Sequence, residues 1–391
     1  MRRALLPILL ASGCHLLLPL DDLPRPRDMR SLSEVARSGN EFVHPFDATL
    51  SPDGRTSYFT AITPDGRAAV LSAEVGLPTP PVQLVAGVPL VGPFALDLAR
   101  VRARQEPDWS IFVQLRVTRT LLGLFAGGAL SLAGALFQAM LRDALATPYT
   151  LGISAGASLG AVLAIWMDWQ QVVGLPAIWI ASLAGAAVVL AVVVGAALQQ
   201  RRVSSFSLLL SGLAANSVCT ALIIVIYGVV GANKSFSISR WLIGSLDALD
   251  YRTLLIFIAA IALAAAVVLR QAKAWNLMAV DPAWAATRGA SLSRLTLAGY
   301  GAGSLLTALT VALTGPIGFV GLIVPHLIRT RIGADHRVLM PCAFLGGGVL
   351  LAGCDALGRI VLAPSEVPAG AVMAMVGGPY LVWVLRQRST V

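Results

Sequence analysis

Long stretches without a charged residue govern what this chain can become. Between successive Asp, Glu, Lys or Arg residues, uncharged runs occupy positions 120–141, 144–167, 169–200, 203–233, 295–328 and 367–385, with shorter ones at 4–20, 253–269 and 338–354. A helix needs about 20 apolar residues to cross the hydrocarbon core, and about 17 at the least, so nearly every run is one span. The longest run contains Gly315-Pro316 and Val324-Pro325. It therefore divides into a span ending near Thr314 and a shorter one ending near Ile328. Charged residues make up 13% of the chain and hydrophobic ones 57%, an apolar excess that suits lipid rather than a soluble core. The expected fold class is an all-α polytopic membrane protein of about ten transmembrane helices.

The net charge of +9 does not point to nucleic acid, because the cations alternate from loop to loop. One set of loops carries Arg142; Arg201 and Arg202; Arg270, Lys273, Arg288 and Arg294; Arg329, Arg331 and Arg337; Arg386 and Arg388. The opposing loops hold chiefly Lys234, Arg240, Arg252 and Arg359. Positive charge is retained on the cytoplasmic side, which puts the C-terminus inside and, through Arg2 and Arg3, the N-terminus inside as well. The expected location is the bacterial inner membrane.

Residues 1–20 read in two ways. Arg2, Arg3, a short apolar run and "ASGC" fit a lipoprotein-type signal that would lipidate Cys14; the same residues fit an uncleaved first span. Either way residues 21–107 lie outside. Within them the tetrapeptide PDGR occurs twice, flanking "YFTAI", which is turn chemistry around a strand. "DATLSPDGRTSYFT" and "QLVAGVPLVGPFALDLA" resemble pieces of a β-propeller, but there is room for about two blades and a propeller needs about four. The segment is then a small β-rich or disordered extracytoplasmic piece, either a docking module or an insertion without activity. Cys219, Cys342 and Cys354 fall in spans as small packing residues, and no Cys or His spacing makes a metal site. No cofactor is implied.

The spans hold almost no ionisable groups that an ion-coupled carrier would use. No Walker A loop is present either, since "GANKS" at Gly231 lacks the required Gly before Lys. A pump built on this chain needs an ATPase on another chain. A secondary transporter or passive channel is the competing class, and a membrane-anchored sensor built on the β-rich segment is a third.

From Arg116 onward the chain reads "RVTRTLLGLFAGGALSLAGALFQAMLRDALATPYTLGISAGASLGA", then "LLLSGLAANSV", "RWLIGSL", "GPIGFVGLIVPHLIR", "ADHRVLMPCAFLGG", "DALGR" and "VPAGAVMAMVGGPYLVWVLR". In this order the motifs resemble the FecCD-type permeases, membrane subunits of ABC importers for iron-siderophores, haem and cobalamin. The resemblance assigns 108–391 to a permease domain with the fold of cobalamin permeases. It implies a homodimer with a gated path at its axis, two ABC ATPase subunits, a periplasmic or lipid-anchored substrate-binding protein, and surrounding membrane lipid. No catalytic chemistry is expected on the chain itself.

Residue by residue, the resemblance implies three sites. "VDPAWAATRGAS" matches the cytoplasmic loop that docks into the ATPase, giving Asp281, Ala283, Ala285, Ala286, Arg288 and Gly289 as coupling residues. Arg288 and Asp281-Pro282 depart from the usual pattern there. Arg116, Arg119 and Arg359 match arginines that meet acids of the binding protein, a task suited to guanidinium forks; anchoring span ends at the headgroups is the other reading. Gly212, Asn216 and Thr220 form an i, i+4 stripe with Ser217 beside it, either lining a pathway or packing helices. Asp143 stands where it would N-cap the helix after "RDALA".

Overall fold

The computed structural model describes residues 44–50, 56–62, 68–74, 98–172, 175–199, 205–280, 287, 291–362 and 365–388. The chain forms two compact units, Met1–Pro80 and Pro81–Val391.

In the first unit, β1 (His44–Leu50), β2 (Thr56–Ile62) and β3 (Ala68–Glu74) form an antiparallel meander in sequence order. β1 pairs with β2 through a register shift between Phe46 and Ala48, and β2 pairs with β3 without interruption. The expected strand through "YFTAI" is β2. Both PDGR turns lie outside the described residues. Among the described residues of this unit there are three strands, fewer than the four of a propeller blade, and they support no propeller assignment.

The second unit is helical. After α1 (Leu98–Arg102), α2 runs without a break over Asp108–Leu141, with a π-helical stretch at Ile111–Val117. Then come α3 (Ile153–Trp166), the two-residue strands β4 (Gln171–Val172) and β5 (Leu175–Pro176), α4 (Ala177–Gln199) and α5 (Ser205–Val229). They are followed by α6 (Ala232–Ile243), α7 (Tyr251–Arg270), α8 (Ala272–Val280) and α9 (Leu292–Thr314). The last are α10 (Val320–Ile332), α11 (His336–Val361) and α12 (Ala369–Arg388). Among the described residues six helices are long and apolar enough to cross a membrane: α2, α4, α5, α7, α9 and α11. α3 and α12 are shorter apolar helices. The possible first span and Cys14 lie outside the described residues.

α2 is the hub, packed by α7, α8, α9, α10 and α11. Its sequence explains why: "AGGALSLAGA" places small residues on all sides, and in a membrane small residues let helix backbones come together. At the crossing with α11, a methyl group on Gly127 would strike the Gly347 carbonyl, and one on Gly347 would strike the Gly127 carbonyl. α3 and α4 meet likewise at Gly156 and Gly185. The buried core runs through Leu122, Leu130, Phe137, Ile153, Leu306, Val311 and Leu351.

One local expectation fails. Asp143 caps no helix: its Oδ1 accepts from the Leu145 N–H at 2.9 Å, and α3 starts only at Ile153, after Gly152 at φ 77°. The carboxylate instead folds into a local turn just past the end of α2.

Candidate functional site

Two polar clusters sit at opposite ends of α11, and each ties it to another helix. At its C-terminal end Asp355 is buried, 2% exposed. Arg119, near the start of α2, donates to it from Nε at 3.1 Å and from Nη2 at 2.9 Å, a two-pronged grip across 236 positions of sequence. Arg359, one turn beyond Asp355, places Nε 3.2 Å from the other carboxylate oxygen and is 3% exposed. Arg119 reaches outward as well: Nη1 donates to the exposed Glu366 at 2.8 Å. Arg116 is buried and acts electrostatically on Arg359. The three arginines expected from the sequence thus converge, two of them on one carboxylate.

Burial of this kind costs several kcal/mol per ion unless the charges are matched. Asp355 supplies the buried counter-charge, and the fork geometry of Arg119 makes that pairing directional, while Arg359 is an ion-pair neighbour whose Nε and Nη2 make no hydrogen bond. Arg119 is at the rim, whereas Arg116 and Arg359 are covered. Glu366, in "PSEVP", had no sequence signal, and Asp355 had only its position near a span end.

At the N-terminal end of α11, Asp335 caps the helix, accepting from the Arg337 N–H at 3.0 Å. The Arg337 side chain grips the same carboxylate from Nε at 3.1 and 3.0 Å and from Nη2 at 2.6 Å. Asn276, on α8, donates from Nδ2 to Asp335 Oδ1 at 2.7 Å, and its Oδ1 accepts from the His336 backbone N–H at 2.7 Å. The hydrogen bonds from Arg337, then that from Asn276, hold the Asp335 carboxyl well below the usual carboxylate range. Nothing in the sequence around Asn276 marks it. A third polar link joins the C-terminal halves of α10 and α2, where Arg329 Nη2 donates to Gln138 Oε1 at 3.1 Å.

The remaining expected residues separate. Gly212 is buried, its Cα face against the backbone of Leu151, which is helix packing. Asn216 is half-buried, while Ser217 and Thr220 are exposed, and Ser217 Oγ donates to the Leu213 carbonyl at 3.0 Å. Asp281, Ala283, Ala285, Ala286, Arg288 and Gly289 lie outside the described residues; α8 ends immediately before them. Among the described residues no group of three or more His, Cys, Asp or Glu is placed to hold a metal ion.

Comparison with known proteins gives concordant results. A model of the FecCD transport family matches residues 83–387. The hemin transport system permease protein of Yersinia pestis is 35% identical over 283 residues, covering 72% of this chain and 84% of that protein. The cobalamin import system permease protein of Halobacterium salinarum is 32% identical over 347 residues, covering 87% of this chain and 92% of that one. The ferric enterobactin transport system permease protein of Escherichia coli K12 is 34% identical over 290 residues, covering 73% and 84%. Among solved structures, a metal-chelate type ABC transporter in an inward-facing conformation superposes with a TM-score of 0.71 at 26% identity, over 79% of this chain and 98% of that one.

Proposed function

The chain belongs to the FecCD transport family, and from that premise we propose that it is the membrane permease subunit of an ABC importer for a haem, cobalamin or ferric siderophore cargo. The observation that carries this is the match to three named permeases, each over more than two thirds of both chains. ATP hydrolysis is assigned to a separate ATPase subunit, cargo delivery to a substrate-binding protein, and the gated path to the axis of a homodimer. We place the protein in the bacterial inner membrane with its C-terminus in the cytoplasm, which puts the Asp355 cluster outside and the Asn276 cluster inside.

On this reading the outer cluster is the landing site for the binding protein, with Arg119 and Glu366 at the rim and Arg359 and Asp355 as the supporting layer. The 281–289 loop engages the ATPase. The permease domain is assigned to residues 108–391, which the family model matches as far as residue 387.

The test is affinity purification from native membranes in mild detergent, with mass spectrometry of what accompanies the wild type and a Gly289→Trp variant. An ABC-type ATPase present with the wild type and lost from the variant supports both the importer reading and the coupling loop. No ATPase under conditions that preserve other ABC complexes removes the motor assignment, and ion-gradient flux assays then become decisive.

A further inference from the structure

α8 is held on two sides by consecutive residues. Trp275 is fully buried, and its Nε1 donates to the Val268 carbonyl at 3.0 Å, fixing α8 against the end of α7. Asn276 engages the start of α11 with its whole amide. Besides its contacts to Asp335 and the His336 N–H, Oδ1 lies 2.7 Å from His336 Nδ1. An amide oxygen only accepts, so the imidazole carries its proton on Nδ1, and both lone pairs of Oδ1 are used. Flipping the amide would set its NH2 against the His336 N–H, so the network fixes its orientation. Three directional contacts on one side chain do not slide; they move together or break.

α11 then runs for 26 residues, about 39 Å at helical rise, locked to α2 at the Gly127 and Gly347 crossing. Its far end holds Arg119 through Asp355. α8 leads directly into the segment assigned to the ATPase. We infer that Asn276 is a positioning residue of the transport cycle, the joint through which nucleotide-driven movement of α8 is passed to α11 and so to the outer cluster. This inference rests on the importer reading above.

The test uses the full chain with its ATPase in lipid nanodiscs, native cysteines replaced, and spin labels on exposed positions. One pair, Val229 and Val361, reports the outer end; the other, Val280 and Ile332, reports the inner end. Distances are measured without nucleotide and with ATP and vanadate. In Asn276→Asp, which sets a second carboxylate against Asp335, the inner pair should respond as in the wild type while the outer response falls to less than half. Trp275→Phe, which removes the bond to the Val268 carbonyl on the other side of α8 and leaves the Asn276 contacts in place, should keep the outer response. An unchanged outer response in Asn276→Asp, loss of both responses together, or an equal fall of the outer response in Trp275→Phe overturns the inference. A wild-type complex that responds at neither pair overturns the importer reading and the inference with it.

Discussion

Asp355 is the residue on which the outer cluster turns, because it is the carboxylate shared by Arg119 and the covered Arg359. Removing one member of a buried ion pair leaves the other charged and uncompensated, at a cost of about 3–5 kcal/mol. Asp355→Ala should therefore lower thermal stability in detergent sharply. Glu366 is 45% exposed and bonds the same arginine, yet exposed pairs contribute about 0–1 kcal/mol. Glu366→Gln should leave the midpoint almost unmoved, and equal effects of the two substitutions would remove the case for a charge-matched interior. Asp335 gives a pH dependence of definite sign. Its folded-state pKa lies below the ordinary 3.8, so its contribution is present above that value and is lost as pH falls through the folded one. The wild type's advantage over Asp335→Asn should hold across about pH 5–8 and shrink below about pH 4, read from thermal midpoints.

At the scale of the element, the α2–α11 crossing is set by backbone contact. Gly347→Val would press a branched side chain into the Gly127 carbonyl and Ser131, an overpacking cost of about 1–3 kcal/mol or more. Gly353, on the same helix, faces open space, with no atom from beyond its own turn of helix within 4 Å of where an added methyl would stand. Gly353→Ala should be neutral or stabilising by up to about 1 kcal/mol, so folded yield in detergent separates contact from propensity. The element boundaries show what the sequence makes legible. α9 stops at Thr314, as Gly315-Pro316 required, because that break is a local property of the chain. α11, by contrast, passes the end of its uncharged run at Cys354 and continues through Asp355 and Arg359 to Val361. α2 likewise starts at Asp108, well before Thr120. Charges end a span only while they stand alone, and these are matched by partners 236 and 247 positions away. No local pattern announces such a pairing. The sequence singled out the arginines through their resemblance to a family motif, while a neutral residue such as Asn276, whose role lies in its geometry, carried no such mark.

For the whole molecule, the decisive property is which end faces the cytoplasm. Both ends are basic, but unequally. Near the Asp355 end, Arg119 and Arg359 are engaged by Asp355, Arg119 also by Glu366, and Lys234 by Asp168 at 2.5 Å. The Asn276 end gathers Arg142, Arg270, Lys273, Arg294, Arg329, Arg331, Arg337 and Arg386 with few acids among them. Orientation follows Lys and Arg in short loops and near span ends, with acids contributing little, and by that measure the Asn276 end carries the greater share. The Asn276 end should accordingly be cytoplasmic. Single cysteines placed at two exposed positions test this in a cysteine-free background: Ser365, in the loop between α11 and α12, and Lys273, on α8. In spheroplasts a membrane-impermeant maleimide should label Ser365→Cys before lysis and Lys273→Cys only after it. Labelling in the reverse order would turn the molecule over, moving the arginine cluster to the ATPase side and removing the landing site proposed for the binding protein.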